Sequence, residues 1–372
     1  MKPERLLKNF ENLVMVNSPS GSEGPLVPVV RSMLQGIPLE EIHHLTADGQ
    51  DTHSLLFRWS ASPECQHLPG ILLSSHLDTV EATEGLQLQS DAERYATSGT
   101  TILGADDKSG IAIIIEALQS LHEASLPHPA IEVLFTEQEE IGLLGSKRLK
   151  NGLLQSQQGL ILDSDGSAGC IIHAAPFQMN FKVKITGVPA HAGTEPEKGK
   201  SAILAAAKVI PSLPFGRIDE NTTLNVGKIQ GGKASNIVAE HCMVEGEIRS
   251  LVRDKLEMLE HYVQQSFEQL TPQGYQIEYK ATLTYHGFHQ ATDSPFIQKL
   301  QKSALSSGIQ PILKKSGGGS DANVLKGLMP QLECVVLSTG MQNVHTHKEW
   351  IAKKDLIDST QWLINFLQCS ST

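Results

Sequence analysis

The chain has 372 residues, of which 40% are hydrophobic and 19% are charged. This length predicts two or three domains, and the composition excludes global disorder because a large core can form. The formal net charge of −11 at pH 7 argues against a nucleic-acid surface, which needs basic side chains to neutralise phosphates. The five cysteines lack tight spacing, so neither a disulfide framework nor a CxxC metal knuckle is expected.

The sequence also argues against a membrane partner. Apolar runs such as residues 111–115 are far shorter than the ~20 residues needed to span a bilayer. The N-terminal segment MKPERLLKNFENL has charges where a signal peptide would have its apolar stretch. We therefore expect a protein of the reducing cytoplasm.

Short apolar runs alternate with helical patterns in the first 170 residues and again near the C-terminus. The expected strands are 71–73, 131–135, 160–162 and 334–337, and the expected helices are 111–121, 297–306, one after 320, and 355–367. Buried strands separated by helices favour an α/β fold with a mostly parallel sheet between helices.

The middle of the chain has a different pattern. Apolar and polar residues alternate strictly over 177–186, as in a half-exposed strand. The predicted elements then follow the order β-α-β-β-α-β, with helices at 201–212 and 253–270 and later strands at 222–227, 242–249 and 275–283. This order is typical of a ferredoxin-like α+β domain. We expect it as an insertion at 177–288 in a discontinuous domain made of residues 1–176 and 289–372.

Candidate functional residues follow the predicted strands, where open α/β sheets place their ligand sites. His76 and Asp78 in ILLSSHLDTV lie two apart and would point to one side of an extended segment. A histidine near a carboxylate is an arrangement that metal sites use. A histidine that simply packs at a strand end is the alternative for this motif alone.

Two further segments carry adjacent carboxylates. Asp106 and Asp107 in LGADDKSG precede an apolar helix, and N-terminal capping would explain one of them more readily than both. Glu137, Glu139 and Glu140 follow a buried strand in VLFTEQEE. Acidic runs are usually solvated, but adjacent Glu139 and Glu140 could divide metal binding and proton transfer between them.

The last two segments each offer a pair of ligands. In LILDSDG, Asp163 is nearer the strand and is the better candidate, whereas Asp165 before a glycine fits a turn. In NVHTHKEW, His345 and His347 lie two apart, with a solvated loop as the alternative. Nitrogen and oxygen ligands without cysteine suit zinc, or manganese and cobalt, in a hydrolytic role. More than four candidate ligands favour two metal ions.

These segments, in this order, resemble the dinuclear zinc exopeptidases and deacylases that include peptidase T, carboxypeptidase G and aminoacylase. The resemblance covers almost the whole chain through SSHLDTV, GADDKSG, TEQEEIGLLGS, LDSDG, VPAHAGTEPEKGKSA and GGGSDANVL. GADDKSG and the final HTHKE are most similar to the peptidase T branch, whose members cleave short peptides. LDSDG departs from peptidase T itself, which has glycines after its ligand aspartate.

The resemblance implies a role for each matching residue. Glu139 would be the general base and Asp78 would position the site. His345 is preferred to His347 because the family spacing places three residues between the histidine and a glutamate, here Glu349. The implied metal ligands, with Asp106 bridging the two zinc ions, are His76, Asp106, Glu140, Asp163 and His345.

The resemblance also implies that the inserted domain forms a homodimer and supplies substrate-binding groups. His191 in AHAGTEP would reach an active site, often the partner subunit's, and stabilise the oxyanion. Asn236 and Arg249 resemble substrate-binding positions, although an ordinary strand-end charge explains Arg249 equally well. Gly318 lies in a glycine run that would let the backbone approach a peptide.

The expected activity is hydrolysis of short peptides by a di- or tripeptide aminopeptidase, with a water activated by two zinc ions and Glu139 as base. Cobalt or manganese could substitute for zinc. The alternatives are an N-acyl amino acid deacylase or a carboxypeptidase-type amidohydrolase with the same machinery. A non-catalytic metal-binding module is a third interpretation, but it would lack Glu139 or some ligands, and all are present.

Overall fold

The computed structural model describes residues 1–369, and every structural statement below refers to them. The chain folds into two compact units. The first consists of residues 1–174, 290–315 and the chain from 320 onward, and the second of residues 175–289 with 316–319. The second unit therefore includes a short segment that is distant in sequence from the expected insertion.

The helices and strands of the two units are as follows. The α-helices are α1 (Pro3–Val14), α2 (Leu26–Met33), α3 (Ala105–Glu123), α4 (Leu144–Lys147), α5 (Ala202–Val209), α6 (Arg253–Glu268), α7 (Pro295–Ser306), α8 (Asp321–Leu328) and α9 (Lys353–Leu367). The strands are β1 (Glu40–Glu41), β2 (Leu55–Trp59), β3 (Ile71–His76), β4 (Leu88–Ser90), β5 (Arg94–Thr97), β6 (Ile131–Thr136), β7 (Gln158–Ser164), β8 (Cys170–Ala175), β9 (Phe177–Thr186), β10 (Gly216–Asp219), β11 (Thr222–Gly231), β12 (His241–Ser250), β13 (Gln276–Tyr285), β14 (Phe288–His289), β15 (Ile312–Lys315), β16 (Glu333–Ser338), β17 (Met341–Gln342) and β18 (Trp350–Ala352).

The main sheet of the first unit has the order β1-β2-β6-β3-β7-β16-β8, and β15 pairs with β8. Its centre is parallel, because β3 pairs in parallel with both β6 and β7, and β7 pairs in parallel with β16. All six residues of β3 and of β6 are buried. Strands covered on both faces read as continuous apolar runs, which explains why short apolar runs marked them in the sequence.

Helix α3 packs in the interior of this unit against α1, α9 and β3. Sixteen of its nineteen residues are buried, including every residue from 105 to 118. A helix buried on all sides has no polar stripe, which is why residues 111–115 read as an unbroken apolar run. A small antiparallel sheet, β17-β18-β5-β4, belongs to the same unit.

The second unit is an antiparallel sheet in the order β10-β11-β12-β9-β13, packed with α5 and α6. In chain order its main elements are β9-α5-β11-β12-α6-β13, the expected ferredoxin-like arrangement, to which β10 adds an edge strand. Phe181, Val183 and Ile185 on one face of β9 are buried in its core, whereas the alternating lysines face away. The predicted fold class is confirmed.

Cys65 and Cys369 form a disulfide, which the cysteine spacing did not predict. The other three cysteines are free and buried. In the part of the chain that the structure describes, no helix has both the length and the apolar character needed to cross a membrane.

Candidate metal centre and active site

The candidate residues of the first unit gather where its parallel strands end. Strand β3 ends at His76, β6 ends one residue before Glu137, and Asp163 is the sixth residue of β7. Because β3 lies between β6 and β7 in the sheet, the side chains that follow these strands meet at one edge. The start of α3 and the loop after β17 bring Asp106 and His345 to the same place.

His76 is buried and is oriented through its Nδ1 atom, which lies 3.0 Å from the main-chain oxygen of Asp78. A carbonyl oxygen can only accept, so this contact assigns the proton to Nδ1 and leaves Nε2 as the lone-pair atom of the neutral ring. Nε2 lies 3.2 Å from Asp106 Oδ1 and 3.6 Å from Asp163 Oδ1. This is the orientation of a metal-ligating histidine.

Asp106 lies between two histidines and presents one carboxylate oxygen to each. Its Oδ1 faces His76, and its Oδ2 lies 3.1 Å from His345 Nε2. The same His345 nitrogen lies 2.9 Å from Glu140 Oε1. Two groups of donor atoms therefore share Asp106, one with His76 and Asp163 and the other with His345 and Glu140.

Asp78 holds the turn that carries the two adjacent glutamates. Its Oδ1 accepts the main-chain N–H of Glu139 at 2.9 Å, and its Oδ2 accepts that of Glu140 at 3.1 Å. Oδ2 also accepts the hydroxyl of Ser20 at 2.6 Å. Asp78 thus fixes both His76, through its carbonyl, and the turn, through its carboxylate.

The alternatives left open by the sequence differ in their surroundings. Asp165 is exposed, whereas Asp163 lies beside His76. His347 contacts Glu81 at 2.7 Å on the surface, whereas His345 faces the carboxylates of the site. His345 has a φ of 60°, a backbone conformation that is uncommon for a residue other than glycine.

The concentration of buried carboxylates determines the electrostatics of the site. Burial, together with the charge of Asp163, raises the pKa of Glu139 well above its ordinary value. Burial also raises the pKa of Asp163 to about 7. Hydrogen bonds to Asp106 and Glu140 raise the pKa of His345 to about 10. A site with this much negative charge and two imidazoles is complementary to divalent cations.

Glu349 supports the site from beneath the start of α3, a role that the sequence did not predict. Its side chain is buried, and its Oε2 accepts the N–H groups of Leu103 and Gly104, both at 2.8 Å. Its Oε1 accepts the N–H of Asp106 at 3.2 Å. The Glu349 carboxylate therefore fixes residues 103–106, which include Asp106. In the sequence, the only feature that pointed to Glu349 was its position four residues after His345.

Asp107 and Asp321 are two more buried carboxylates outside the predicted set of site residues. Asp107 accepts the hydroxyl of Ser75 and the N–H of Gly110, the latter at 3.2 Å, which anchors the start of α3 behind the site. Asp321, at the start of α8, accepts the hydroxyl of Thr136 at 2.5 Å. Asp107 lies in the motif GADDKSG and Asp321 in GGGSDANVL. The spacing of these motifs does not distinguish metal ligands from residues that hold the ligands in place.

The four remaining predicted residues belong to the second unit. His191 pairs with Ile237 as an isolated bridge, and the carbonyl of Asn236 accepts the N–H of Ala192 at 3.0 Å, so the two motifs are neighbours. His191 Nδ1 accepts the N–H groups of Gly193 and Thr194 at 3.2 and 3.1 Å. With Nδ1 accepting, the ring proton of the neutral imidazole is on Nε2, which can donate.

Arg249 and the glycine run are also neighbours in this unit. The guanidinium donates to the Glu247 carboxylate through two nitrogens, at 2.9 and 3.1 Å, and to the carbonyl of Gly317 at 3.0 Å. A Cβ at residue 319 would lie 2.3 Å from the Tyr285 ring, so the close approach that requires glycine is at Gly319. At Gly318 a Cβ would meet only the Ser316 hydroxyl, at an ordinary 3.7 Å.

The donor set fits a pair of divalent cations. Among the described residues, two groups of three possible donors include His76 and have their ligand atoms within 4.8 Å of one another: His76 with Asp106 and Glu140, and His76 with Asp107 and Asp163. Imidazoles and carboxylates without thiolates suit zinc and similar first-row ions. A discontinuous α/β unit with such a site, together with a separate ferredoxin-like unit, defines a hydrolase of the two-cation class.

Comparison with known proteins agrees with this class. Residues 72–368 match the model of peptidase family M20/M25/M40, and the chain belongs to this family of peptidases. The crystal structure of aminopeptidase PepT from Bacillus cereus ATCC 10987 is similar, with a TM-score of 0.92 and 34% identity over 99% of this chain and 98% of that one. A tripeptidase from Staphylococcus aureus subsp. aureus Mu50 has a TM-score of 0.92 and 31% identity over the same shares.

The similarity to curated sequences also spans the whole chain. The uncharacterized protein YqjE of Bacillus subtilis (strain 168) is 35% identical over 368 residues, which cover 98% of each chain. The resemblance to peptidase T-like metallopeptidases inferred from the motifs is thus confirmed, as is the expectation of a peptide-hydrolysing enzyme.

Proposed function

We propose that this protein is a tripeptide aminopeptidase that requires two divalent cations. The observation that carries the proposal is the position of Asp106, whose two carboxylate oxygens face two different histidines. The similarity to structures described as an aminopeptidase and a tripeptidase supports the substrate class. Short peptides with a free amino terminus are the proposed substrates.

The ligands of the two ions follow from the two groups that share Asp106. His76 and Asp163 would hold one ion with it, and His345 and Glu140 would hold the other. Zinc is the proposed metal, and cobalt or manganese can replace it because each accepts nitrogen and oxygen ligands. Bound cations of this kind lower the pKa of water and polarise a carbonyl group.

Glu139 is the proposed general base. Its main-chain N–H is held by Asp78, as is that of Glu140, so its carboxylate is positioned next to a proposed metal ligand, where it can accept a proton from water. It accepts a proton from the attacking water and returns it to the nitrogen of the leaving amine. Glu140, the next residue, has a different task, because its oxygen faces His345.

The second unit supplies the remaining groups in this proposal. His191 donates from Nε2 to the oxygen of the scissile carbonyl as negative charge develops there. Its Nδ1 contacts with Gly193 and Thr194 support this, since they keep the proton on Nε2. Asn236, Arg249 and Gly318 bind the peptide. We further propose that this unit forms the contact of a homodimer, and that the enzyme works in the cytoplasm.

A panel of blocked and unblocked peptides tests the proposed substrate class. Zinc-loaded protein is incubated with a free tripeptide, its N-acetylated form, its C-terminal amide and the corresponding dipeptide, and the released residues are identified. We expect release of the N-terminal residue from the free tripeptide and no cleavage of the N-acetylated one. Release of acetate, or of the C-terminal residue from the N-acetylated peptide, would instead establish the deacylase or carboxypeptidase alternative.

A further inference from the structure

A second cluster of ligand-type side chains lies beside the turn that carries Glu139, outside the paired site. It consists of Glu23, His53 and Glu137, which offer one donor atom each, and these atoms lie within 4.8 Å of one another. Glu23 and Glu137 are buried, whereas the His53 side chain is 49% exposed. The cluster is therefore two buried carboxylates covered by a histidine that solvent can reach.

The carboxylate of Glu23 is only half satisfied. Its Oε1 accepts the N–H groups of Gly21 and Gln138 at 2.8 and 3.0 Å. Its Oε2 is buried and accepts no hydrogen bond from any residue that the structure describes. A buried carboxylate oxygen without a partner is destabilising, so this atom points to a ligand that is not part of the chain itself.

The imidazole of His53 lies beside the unpaired oxygen. Its Nδ1 lies 3.9 Å from Glu23 Oε2, which is too far for a hydrogen bond. Two ligands of one zinc ion, each at about 2.0–2.2 Å from it, lie roughly 3.3–3.6 Å apart in a tetrahedral site. The observed separation is therefore close to that of two atoms that share a cation.

Glu137 completes the cluster with a carboxylate that is held in place. Its Oε1 accepts the hydroxyl of Thr52 at 2.7 Å, and its Oε2 accepts the main-chain N–H of His53 at 2.8 Å. Each oxygen retains a second lone pair for another partner. Among the ion pairs of residues 1–369, none joins a lysine or arginine to Glu23 or Glu137, so no cationic side chain neutralises these two carboxylates.

We propose that Glu23, His53 and Glu137 form a third cation site, which takes zinc or a similar first-row divalent ion. One imidazole and two carboxylates are a set of three protein ligands that leaves a position open to water, and the exposed His53 gives the ion a path of entry. Calcium is a poorer match, because it requires six to eight oxygen ligands.

The site is connected to the catalytic turn. Gln138, whose N–H is held by Glu23 Oε1, lies between Glu137 and Glu139 and has a φ of 53°. An ion on Glu23 and Glu137 would therefore bind a residue two positions before the proposed base and the carboxylate that holds Gln138. Its occupancy would adjust the turn from outside the pair of catalytic cations.

Zinc stoichiometry tests the proposal without reference to peptide hydrolysis. The full chain is freed of metal with a chelator, equilibrated at a fixed free zinc concentration, and analysed for zinc per chain. The variants are His53→Ala, Glu23→Gln and the double variant. His67→Ala, which removes another exposed histidine, is the matched control. Circular dichroism establishes that each variant is folded.

We expect each single variant to bind one zinc fewer than the wild type, the double variant also to bind one fewer, and the control to match the wild type. Equal zinc content in wild type and His53→Ala would overturn the site, and so would a double variant that loses two ions. Because His53 is exposed, its replacement decides the matter even if Glu23→Gln fails to fold. The readout is a difference of one ion, so it stays separate from the failure of the proposed peptidase activity.

Discussion

Glu139 and Glu140 are neighbours in sequence, but the structure gives them different surroundings. Asp78 accepts the main-chain N–H of both residues, but the Glu140 side chain contacts His345, whereas burial raises the pKa of Glu139. The sequence suggested that two adjacent carboxylates divide metal binding and proton transfer. It could not show how they are held apart, because the residue that holds them, Asp78, is about sixty positions earlier in the chain.

Replacing each glutamate by glutamine distinguishes the role of Glu139 from that of Glu140. Glu139→Gln removes the proton acceptor and keeps the size of the side chain, so kcat should fall at least by the factor of about 10²–10⁴ that general acid–base groups contribute. KM and zinc content should change little, because ground-state contacts survive. Glu140→Gln should lose zinc first and activity as a consequence. The measurement is metal stoichiometry beside steady-state kinetics.

The reverse result would show that the two roles are exchanged. In that case Glu139→Gln would lose zinc and Glu140→Gln would keep it. If both variants kept zinc and full activity, the acidic turn would have no part in the reaction.

The paired candidates also differ at the residue scale. Proximity to the strand favoured Asp163 over Asp165, and spacing favoured His345 over His347; in the structure the favoured member of each pair faces the cluster. The supporting role of Glu349 was beyond the sequence, because it depends on hydrogen bonds across more than 240 residues.

The first helix shows how an element is attached by charge. Arg5 of α1 contacts the buried carboxylate of Glu116 at 2.6 Å and also contacts Glu123, both on α3. Lys2 adds a second contact to Glu123 at 3.0 Å. The hydrogen bond from Arg5, and then that from Lys2, lower the pKa of Glu123 from 4.5 to about 2.

The lowered pKa of Glu123 predicts that its contacts with Arg5 and Lys2 stabilise the fold less in acid. A carboxylate whose pKa is lower in the folded state stabilises the fold above pH 4.5, and that contribution is lost as the pH falls from 4.5 toward 2. Glu123→Gln should therefore lose less stability than the wild type on acidification. Chemical denaturation between pH 6 and pH 3 measures the slope, with Glu4→Gln, an exposed glutamate of α1, as control. Parallel slopes for Glu123→Gln and wild type would contradict this account.

Periodicity predicted most of the long elements, but it predicted neither α1, with twelve residues, nor the short strands. Buried strands such as β3 and alternating strands such as β9 have distinct patterns, and both were predicted. The small sheet of β4, β5, β17 and β18 was not, because its strands have two to four residues and β5 pairs with β18 across about 250 positions. Strands of that length carry no periodic signal.

At the scale of the whole molecule, the two-unit organisation followed from a change of pattern along the chain. The attachment of residues 316–319 to the second unit was not foreseen. It depends on contacts within that unit: Arg249 donates to the carbonyl of Gly317, and Gly319 lies against the ring of Tyr285. Such contacts join distant segments and leave no local pattern in the sequence.

The proposed homodimer makes a prediction about mixed subunits. Light scattering should give twice the 40.4 kDa of the chain. If His191 acts in the partner's site, His191→Ala and Glu139→Gln should each be nearly inactive alone, and unfolding and refolding them together should restore activity, because one site of each mixed dimer is complete. A fully active monomer, or a mixture as inactive as its components, would exclude a trans-acting His191.

The central claim is that peptide hydrolysis depends on cations held around Asp106. The most direct measurement is the rate of release of the N-terminal residue from a free tripeptide, recorded while zinc is added back to chelator-treated protein. We expect no hydrolysis without metal, recovery as zinc binds, and no recovery in Asp106→Asn at any zinc concentration that saturates the wild type. Undiminished hydrolysis by protein shown by elemental analysis to hold no metal would contradict it.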